Sequence, residues 1–183
     1  MSRFWVVLKL HMLAILLAAG YGVLHDQVSY SLSPEYYTRF KFIQFHTGWA
    51  FQSPRLGAAF IGALATWWMG LIIALVLYVF SKKNVPPAQL FRNNVRSFFE
   101  VFTVTLMVTA GGLALAYARV DAGTIEPYRL WLRPGVTDAV QFIRVGFMHN
   151  ASYLGGIAGL CVALCLRWFR YCLTRRSQRN SLS

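Results

Sequence analysis

Four mostly apolar stretches dominate the chain, and shorter segments between them carry most of its charged residues. The stretches cover about residues 4–24, 56–80, 98–118 and 145–168. Each is long enough for an α-helix to cross the hydrocarbon core of a bilayer, which takes about 20 residues. A helix of this length in a soluble core would show a polar face, whereas stretch 56–80 has no charged residue. The pattern therefore predicts an all-α fold, an integral membrane four-helix bundle.

The composition agrees with this pattern. Of 183 residues, 57% are hydrophobic and only 13% are charged, whereas soluble proteins average about 25% charged residues. The apolar fraction also excludes an intrinsically disordered chain. We expect one transmembrane domain, residues 1–173, followed by a polar, basic tail, residues 174–183, that we predict to be disordered.

The distribution of charge predicts the orientation. Eleven Lys and Arg residues flank one side of the spans, and seven flank the other, which also carries five of the six acidic residues. By the positive-inside rule, both termini are expected in the cytoplasm. The net charge of +12 would also suit a nucleic-acid-binding protein, but no soluble domain is predicted that could form a basic groove. We therefore expect the lipid bilayer as a partner and no nucleic acid.

The first span also has features of a signal peptide. It has a basic start, a short apolar core and the small residues Ala18 and Gly20. The apolar run continues through Tyr21 and Leu24, past the position where cleavage would occur. We expect the span to be retained as a transmembrane helix.

Small residues recur at four-residue spacing within the spans, and this spacing favours close contact between transmembrane helices. The two longest series are Ala58, Gly62, Thr66 and Gly70 in the second span, and Ala151, Gly155, Gly159 and Ala163 in the fourth. They predict a compact bundle. At the start of the third span, we expect Glu100 to pair with Arg96, four residues earlier on the same helix.

The two segments on the outer side, residues 25–55 and 119–144, are long enough to suggest structured loops. In the first, Ser33, Pro34 and Glu35 are typical of a helix start. The aromatic and basic residues that follow predict a short helix at the membrane interface. In the second, Thr137 or Asp138 is expected to cap a helix that continues into the fourth span.

Polar residues collect where the spans meet the outer loops, and these are the candidate site residues. Residues three and four apart lie on one face of a helix. Polar side chains at the start of the fourth span therefore lie on one side of that helix, at its outer end. Ionisable groups at membrane depth usually face the protein interior or a water-filled cavity. The candidates for ligand binding are His25, Asp26, Gln27, Glu35, Arg144, His149, Asn150 and Tyr153.

Several kinds of site fit these residues. His25, Asp26 and His149 could bind a transition metal, or the two histidines could hold a haem between helices. Arg144, His149 and Tyr153 could instead bind a charged ligand or a quinone headgroup. The simplest interpretation is a purely structural network, in which Asp26 or Glu35 pairs with Arg144 and holds the long loops down. The sequence contains no motif of a known catalytic class, and we predict no catalytic residue.

The predicted function is a non-catalytic binding or assembly module with a polar site at the outer membrane interface. Another membrane protein or a second copy of this chain would be its partner. A metal- or haem-binding redox protein is the first alternative. A small transporter is the second, although the second and third spans offer almost no charged path at mid-depth.

Two groups of motifs resemble a family of uncharacterised bacterial multi-pass membrane proteins. The first group is the run His25-Asp26-Gln27-Val28-Ser29-Tyr30 followed by Ser33-Pro34-Glu35-Tyr36, and the second is His149-Asn150 followed by Ser152-Tyr153-Leu154-Gly155-Gly156. The resemblance covers the first outer loop and the head of the fourth span. It implies a location in the bacterial plasma (inner) membrane and a polar outer site that forms one unit, and it implies no activity.

Overall fold

The structure, a computed structural model, describes residues 2–81 and 84–180. Its four long helices are α1 (Arg3–Leu32), α4 (Pro54–Val79), α5 (Pro87–Arg119) and α6 (Ala139–Asn180), and each contains a stretch long and apolar enough to cross a membrane. The described residues form no β-strand. The predicted all-α bundle of four membrane-length helices is confirmed.

The helices are longer than the apolar stretches that predicted them. The first continues to Leu32, the third begins at Pro87, and the fourth runs from Ala139 to Asn180, through most of the tail for which we predicted disorder. Hydropathy marks the part of a helix that lipid can surround, whereas backbone hydrogen bonding continues until a turn or cap ends it. Residues 181–183 of the tail lie outside the described residues.

The bundle consists of two antiparallel hairpins. Helix α1 packs along α4, and α5 packs along α6, while contacts between the hairpins are far fewer. The small residues lie at these contacts, as the spacing predicted: Gly22 meets Gly62 in the first hairpin, and Gly155 meets Thr105 in the second. Without a hydrophobic drive between helices in lipid, this close backbone approach maximises van der Waals contact.

The two long connections cover one end of the bundle, which we call the loop end. The first connection folds as α2 (Pro34–Tyr36), a π-helical turn (Tyr37–Lys41), α3 (Phe42–Gln44) and a 3₁₀ turn (Gly48–Phe51). The interfacial helix predicted here is instead packed into the protein, because Tyr37 and Phe42 are 0% and 1% exposed. Its helix start is as expected, although Ser33 makes no capping hydrogen bond.

The second connection contains a 3₁₀ turn, Glu126–Trp131, and leads into α6. The Asp138 carboxylate accepts a hydrogen bond from the Gln141 backbone N–H at 3.0 Å, which confirms the predicted cap. Buried aromatic and aliphatic side chains from both connections and from α4 and α6 form one core at this end.

At the opposite end, which we call the terminal end, a second, mostly aliphatic core joins all four long helices. Polar contacts close it. Glu100 accepts a hydrogen bond from Arg96 at 3.2 Å, as predicted, and also pairs with Arg170. Arg167 donates to the Leu77 carbonyl at the end of α4 and to the Ser97 hydroxyl on α5. A cation beside the carbonyls that end a helix is favourable.

Candidate metal-binding site

Three of the predicted site residues form a buried cluster at the loop end. His25 and Asp26 lie in the last turns of α1, and His149 lies in the third turn of α6. One carboxylate oxygen, Asp26 Oδ1, is 3.0 Å from His25 Nδ1 and 3.3 Å from His149 Nε2. The exposed fractions are 7%, 4% and 6%, so all three side chains are shielded from solvent.

The partners of the two imidazoles determine where their protons lie. His149 Nδ1 is 3.0 Å from the Val145 carbonyl oxygen, which can only accept a hydrogen bond, so we place a proton on this nitrogen. His25 Nδ1 donates to Asp26 in the same way. In a neutral imidazole, the other nitrogen, Nε2, then carries a lone pair.

Neither of these lone pairs has a hydrogen-bond partner. His25 Nε2 and His149 Nε2 are both buried, and within the described residues neither makes a hydrogen bond. His149 Nε2 lies 3.3 Å from Asp26 Oδ1, and the two form an ion pair only if His149 is protonated. Imidazole lone pairs and a carboxylate are ligands for a metal ion, so a bound cation could accept electron density from all three side chains.

Aromatic rings enclose the cluster. The Tyr36 ring stacks on His149 with centroids 4.7 Å apart, and the Tyr21 ring lies against His25 at 5.6 Å. The Tyr37 hydroxyl hydrogen-bonds to the Ser29 hydroxyl. Burial raises the pKa of both Tyr36 and Tyr37, and the nearby charge of Asp26 raises it further. Both phenols therefore remain neutral, and Asp26 is the only formal anion of the cluster.

Lys41 lies in the same part of the loop end, where the residue pattern does not predict it. The residue is 8% exposed, and Nζ lies over the rings of Tyr36, Phe40 and Phe45 at 5.8, 5.0 and 5.7 Å. Cation–π contacts of this kind stabilise an ammonium group without an ion pair. Burial lowers the pKa of Lys41, and the negative charge of Asp26 opposes that effect.

The spacing of the three residues suits a small metal ion. One ligand atom from each residue can be chosen so that all lie within 4.8 Å of one another. Two ligands about 2.0–2.1 Å from a tetrahedral ion lie about 3.3 Å apart, close to the distance between His149 Nε2 and Asp26 Oδ1. A haem between the histidines does not fit, because the two rings are already in contact, with centroids 4.6 Å apart.

The other predicted candidates lie outside this cluster. Gln27 donates to the Arg55 carbonyl at 2.9 Å, and Arg144 donates to the Val120 carbonyl at 2.8 Å. The structural network predicted from the sequence required Arg144 to pair with Asp26 or Glu35, and it pairs with neither. Asn150 is exposed, and Tyr153 lies one turn beyond His149, away from the loop end.

Glu35 has a separate role, because it joins the two connections. Its carboxylate accepts hydrogen bonds from the backbone N–H groups of Thr137 and Asp138 at 3.0 and 2.9 Å, at the start of α6. Partial desolvation acts to raise the pKa of Glu35, but these hydrogen bonds outweigh it and lower the pKa below the usual value.

The sequence missed Tyr36, Tyr37 and Lys41 as the surroundings of the cluster. They alternate with other aromatic and basic residues, a pattern that equally suits a helix on the membrane surface. No family model, curated protein or solved structure matches this chain. The geometry of His25, Asp26 and His149 is therefore the main guide to the function of this protein.

Proposed function

We propose that this membrane protein binds one divalent first-row transition-metal ion through His25, Asp26 and His149. The observation that carries the proposal is the pair of buried Nε2 atoms without hydrogen-bond partners in a cluster that also contains a buried carboxylate. A buried polar atom left unpaired costs about 1–3 kcal/mol, and coordination of an ion would remove that cost.

The chemistry of the ligands favours a transition metal over Mg²⁺ or Ca²⁺. Imidazole nitrogen suits Zn²⁺, Cu²⁺ and Fe²⁺, whereas the alkaline-earth ions prefer oxygen ligands alone. The hydrogen bond from His149 to the Val145 carbonyl is the outer-shell contact that usually orients a metal-bound histidine. An ion held by three protein ligands would keep at least one position for water or another ligand.

The ion would also connect the two hairpins. His25 and Asp26 belong to the first hairpin and His149 to the second, while few other contacts join the hairpins. This supports a role in binding and assembly, in which the metal holds the bundle closed at the loop end. We place the protein in the bacterial plasma membrane with both termini in the cytoplasm, on the basis of the charge distribution and the family resemblance. The metal site then lies near the outer face.

A protonated His149 would also explain why His149 and Asp26 lie together, without any metal ion. A proton on Nε2 would form an ion pair with Asp26 across the same 3.3 Å gap. A proton and a metal ion compete for the same lone pair, so metal binding should weaken as the pH falls. Direct measurement of the metal distinguishes the two.

The test is elemental analysis of detergent-purified protein prepared without chelator and without a histidine tag. We expect about one metal ion per chain in the wild type, and a loss of about tenfold or more in affinity in His149→Ala. His46→Ala is the matched control, because His46 is exposed and outside the cluster, and should retain the metal. Wild-type protein that stays metal-free after incubation with Zn²⁺, Cu²⁺ and Fe²⁺ would contradict the proposal.

A further inference from the structure

An apolar cleft lies directly beside the metal-site residues, on the side toward the middle of the bundle. It has a volume of about 210 Å³, and all four long helices line it. Tyr21 on α1 and Tyr153 on α6 are both in its lining, one helical turn from His25 and His149 respectively. The cleft therefore begins where the cluster ends, along the thinly packed boundary between the hairpins.

The lining contains no charged residue, and this decides which molecules could occupy the cleft. The wall consists of aliphatic and aromatic side chains, including Met69, Ile73, Phe98 and Phe102. An anionic headgroup would find no cation here, and an ammonium group would find no carboxylate. Charge complementarity therefore favours a neutral molecule, and the apolar wall favours one with an apolar part.

The polar atoms of the cleft are concentrated at the end near the cluster. The Tyr21 hydroxyl hydrogen-bonds to the hydroxyls of Thr109 and Ser152, both at 2.9 Å, and its ring packs edge-on against Phe102 at 6.0 Å. Tyr153 is 36% exposed, and its hydroxyl makes no hydrogen bond with any side chain or backbone group that the structure describes. One free hydroxyl beside aromatic rings suits a flat, neutral ring that carries a carbonyl or hydroxyl group.

From these features we infer that the cleft binds an isoprenoid quinone. The headgroup would lie between the aromatic residues near Tyr21 and accept a hydrogen bond from Tyr153, and the apolar tail would follow the wall toward Ala14 and Ile73. The inference goes beyond the proposed metal site and does not depend on it, because none of the three metal-site residues lines the cleft. The proximity of Tyr21 to His25 places a quinone headgroup next to the site in which we propose the metal.

Decylubiquinone is a suitable probe for protein in nanodiscs of zwitterionic phosphatidylcholine. Quinones quench tryptophan fluorescence, so saturable quenching would measure the dissociation constant. Gly156→Leu should fill the cleft: a Cβ at Gly156 would meet only the flexible end of Met69. We expect this variant to raise the Kd by about tenfold or more, and Tyr153→Phe to raise it by about threefold to tenfold, for the lost hydrogen bond.

Gly111→Leu is the matched control, because it adds the same side chain where nothing lies within 4 Å, and its Kd should stay within about twofold of the wild type. His149→Ala should lose metal but still bind the quinone, so failure of either proposal is separable from failure of the other. Non-saturable quenching that is equal in Gly156→Leu would overturn the inference. So would native mass spectra in which a phospholipid, and not the quinone, is retained by the wild type and lost from Gly156→Leu.

Discussion

Gly22 of α1 and Gly62 of α4 face each other so closely that a methyl group added to either would overlap the carbonyl oxygen of the other. The first hairpin depends on this contact, which lies about one turn from Asp26. We expect Gly22→Ala to lower the free energy of unfolding by about 1–3 kcal/mol, because the two backbones must separate. Gly20→Ala is the control, because Gly20 faces open space. Alanine has the better helix propensity, so the free energy of unfolding of this variant should be unchanged or slightly higher. Chemical denaturation in detergent would measure both variants.

Arg167 should be the most sensitive cation of the terminal end. It donates to groups on α4 and α5, including the Leu77 carbonyl at 2.7 Å and the Ser97 hydroxyl at 2.9 Å. We expect Arg167→Met to destabilise the protein by about 2–4 kcal/mol, because several buried acceptors lose their donor. Arg167→Lys should recover only part of that loss, since an ammonium group lacks the forked geometry. Thermal unfolding would measure both Arg167 variants, with Arg175→Met as the control because Arg175 is exposed. Equal stability of Arg167→Met and Arg175→Met would contradict the prediction.

Glu35 should stabilise the loop end in a pH-dependent way. Its lowered pKa means that the folded state favours the carboxylate, so its contribution is present above the usual carboxyl pKa and is lost as the pH falls through the lowered value. We expect Glu35→Gln to reduce stability by about 1 kcal/mol at neutral pH, where two backbone N–H groups lose a charged acceptor. At pH values well below the ordinary carboxyl pKa of about 4.3, the variant and the wild type should converge.

Glu126→Gln is the control for this experiment. Glu126 pairs with Arg129 on the surface, where the two side chains are 70% and 75% exposed. Exposed ion pairs contribute little, so its stability should match the wild type at every pH. A gap between Glu35→Gln and the wild type that does not shrink at low pH would show that the side-chain shape, and not its charge, matters.

The proximity of α1 and α6 at the loop end can be tested by crosslinking. The rings of His25 and His149 are 4.6 Å apart, so cysteines at both positions should be joined by a short bifunctional thiol reagent. The experiment needs a background in which the three native cysteines are replaced by alanine. Pairing of His25→Cys with Asn150→Cys is the control, because Asn150 is exposed while His149 is buried. Equal crosslinking of both pairs would argue against the described arrangement.

The proposed orientation makes a prediction about Cys172, which is exposed on α6 near the terminal end. With Cys161 and Cys165 replaced by alanine, a membrane-impermeant thiol reagent should not label it in intact cells, but should do so after the membrane is opened. A cysteine placed at Glu126, in the connection at the other end, should be labelled in intact cells as well as after the membrane is opened. Labelling of Cys172 from outside would reverse the orientation and place the proposed metal site on the cytoplasmic side.

The sequence predicted the spans, and it singled out the three residues of the buried cluster for a different physical reason. Lipid accepts only long apolar helices, so hydropathy alone indicates where they lie. His25, Asp26 and His149 stood out because ionisable groups are expensive at membrane depth. Their predicted companions Asn150 and Arg144 lay nearby in sequence but on other sides of the helix. Which side faces the interior depends on contacts between helices, and residue types alone do not determine it.

The loop end was harder to predict. Tyr37 and Lys41 are far along the chain from α6, and their burial depends on how the first connection folds across the bundle. Aromatic and basic residues in that order are also typical of a helix on the bilayer surface. Only the long-range contacts, such as the stacking of Tyr36 on His149, separate the two arrangements.

The division of the bundle into two hairpins has a consequence for biogenesis. A ribosome releases α1 and α4 first, and this pair can insert and close around its glycine contacts before α6 has been synthesised. His25 and Asp26 are then already in the membrane, while His149 arrives with the last span. The cluster is complete only after the second hairpin has inserted and docked, so the site becomes available at the end of maturation.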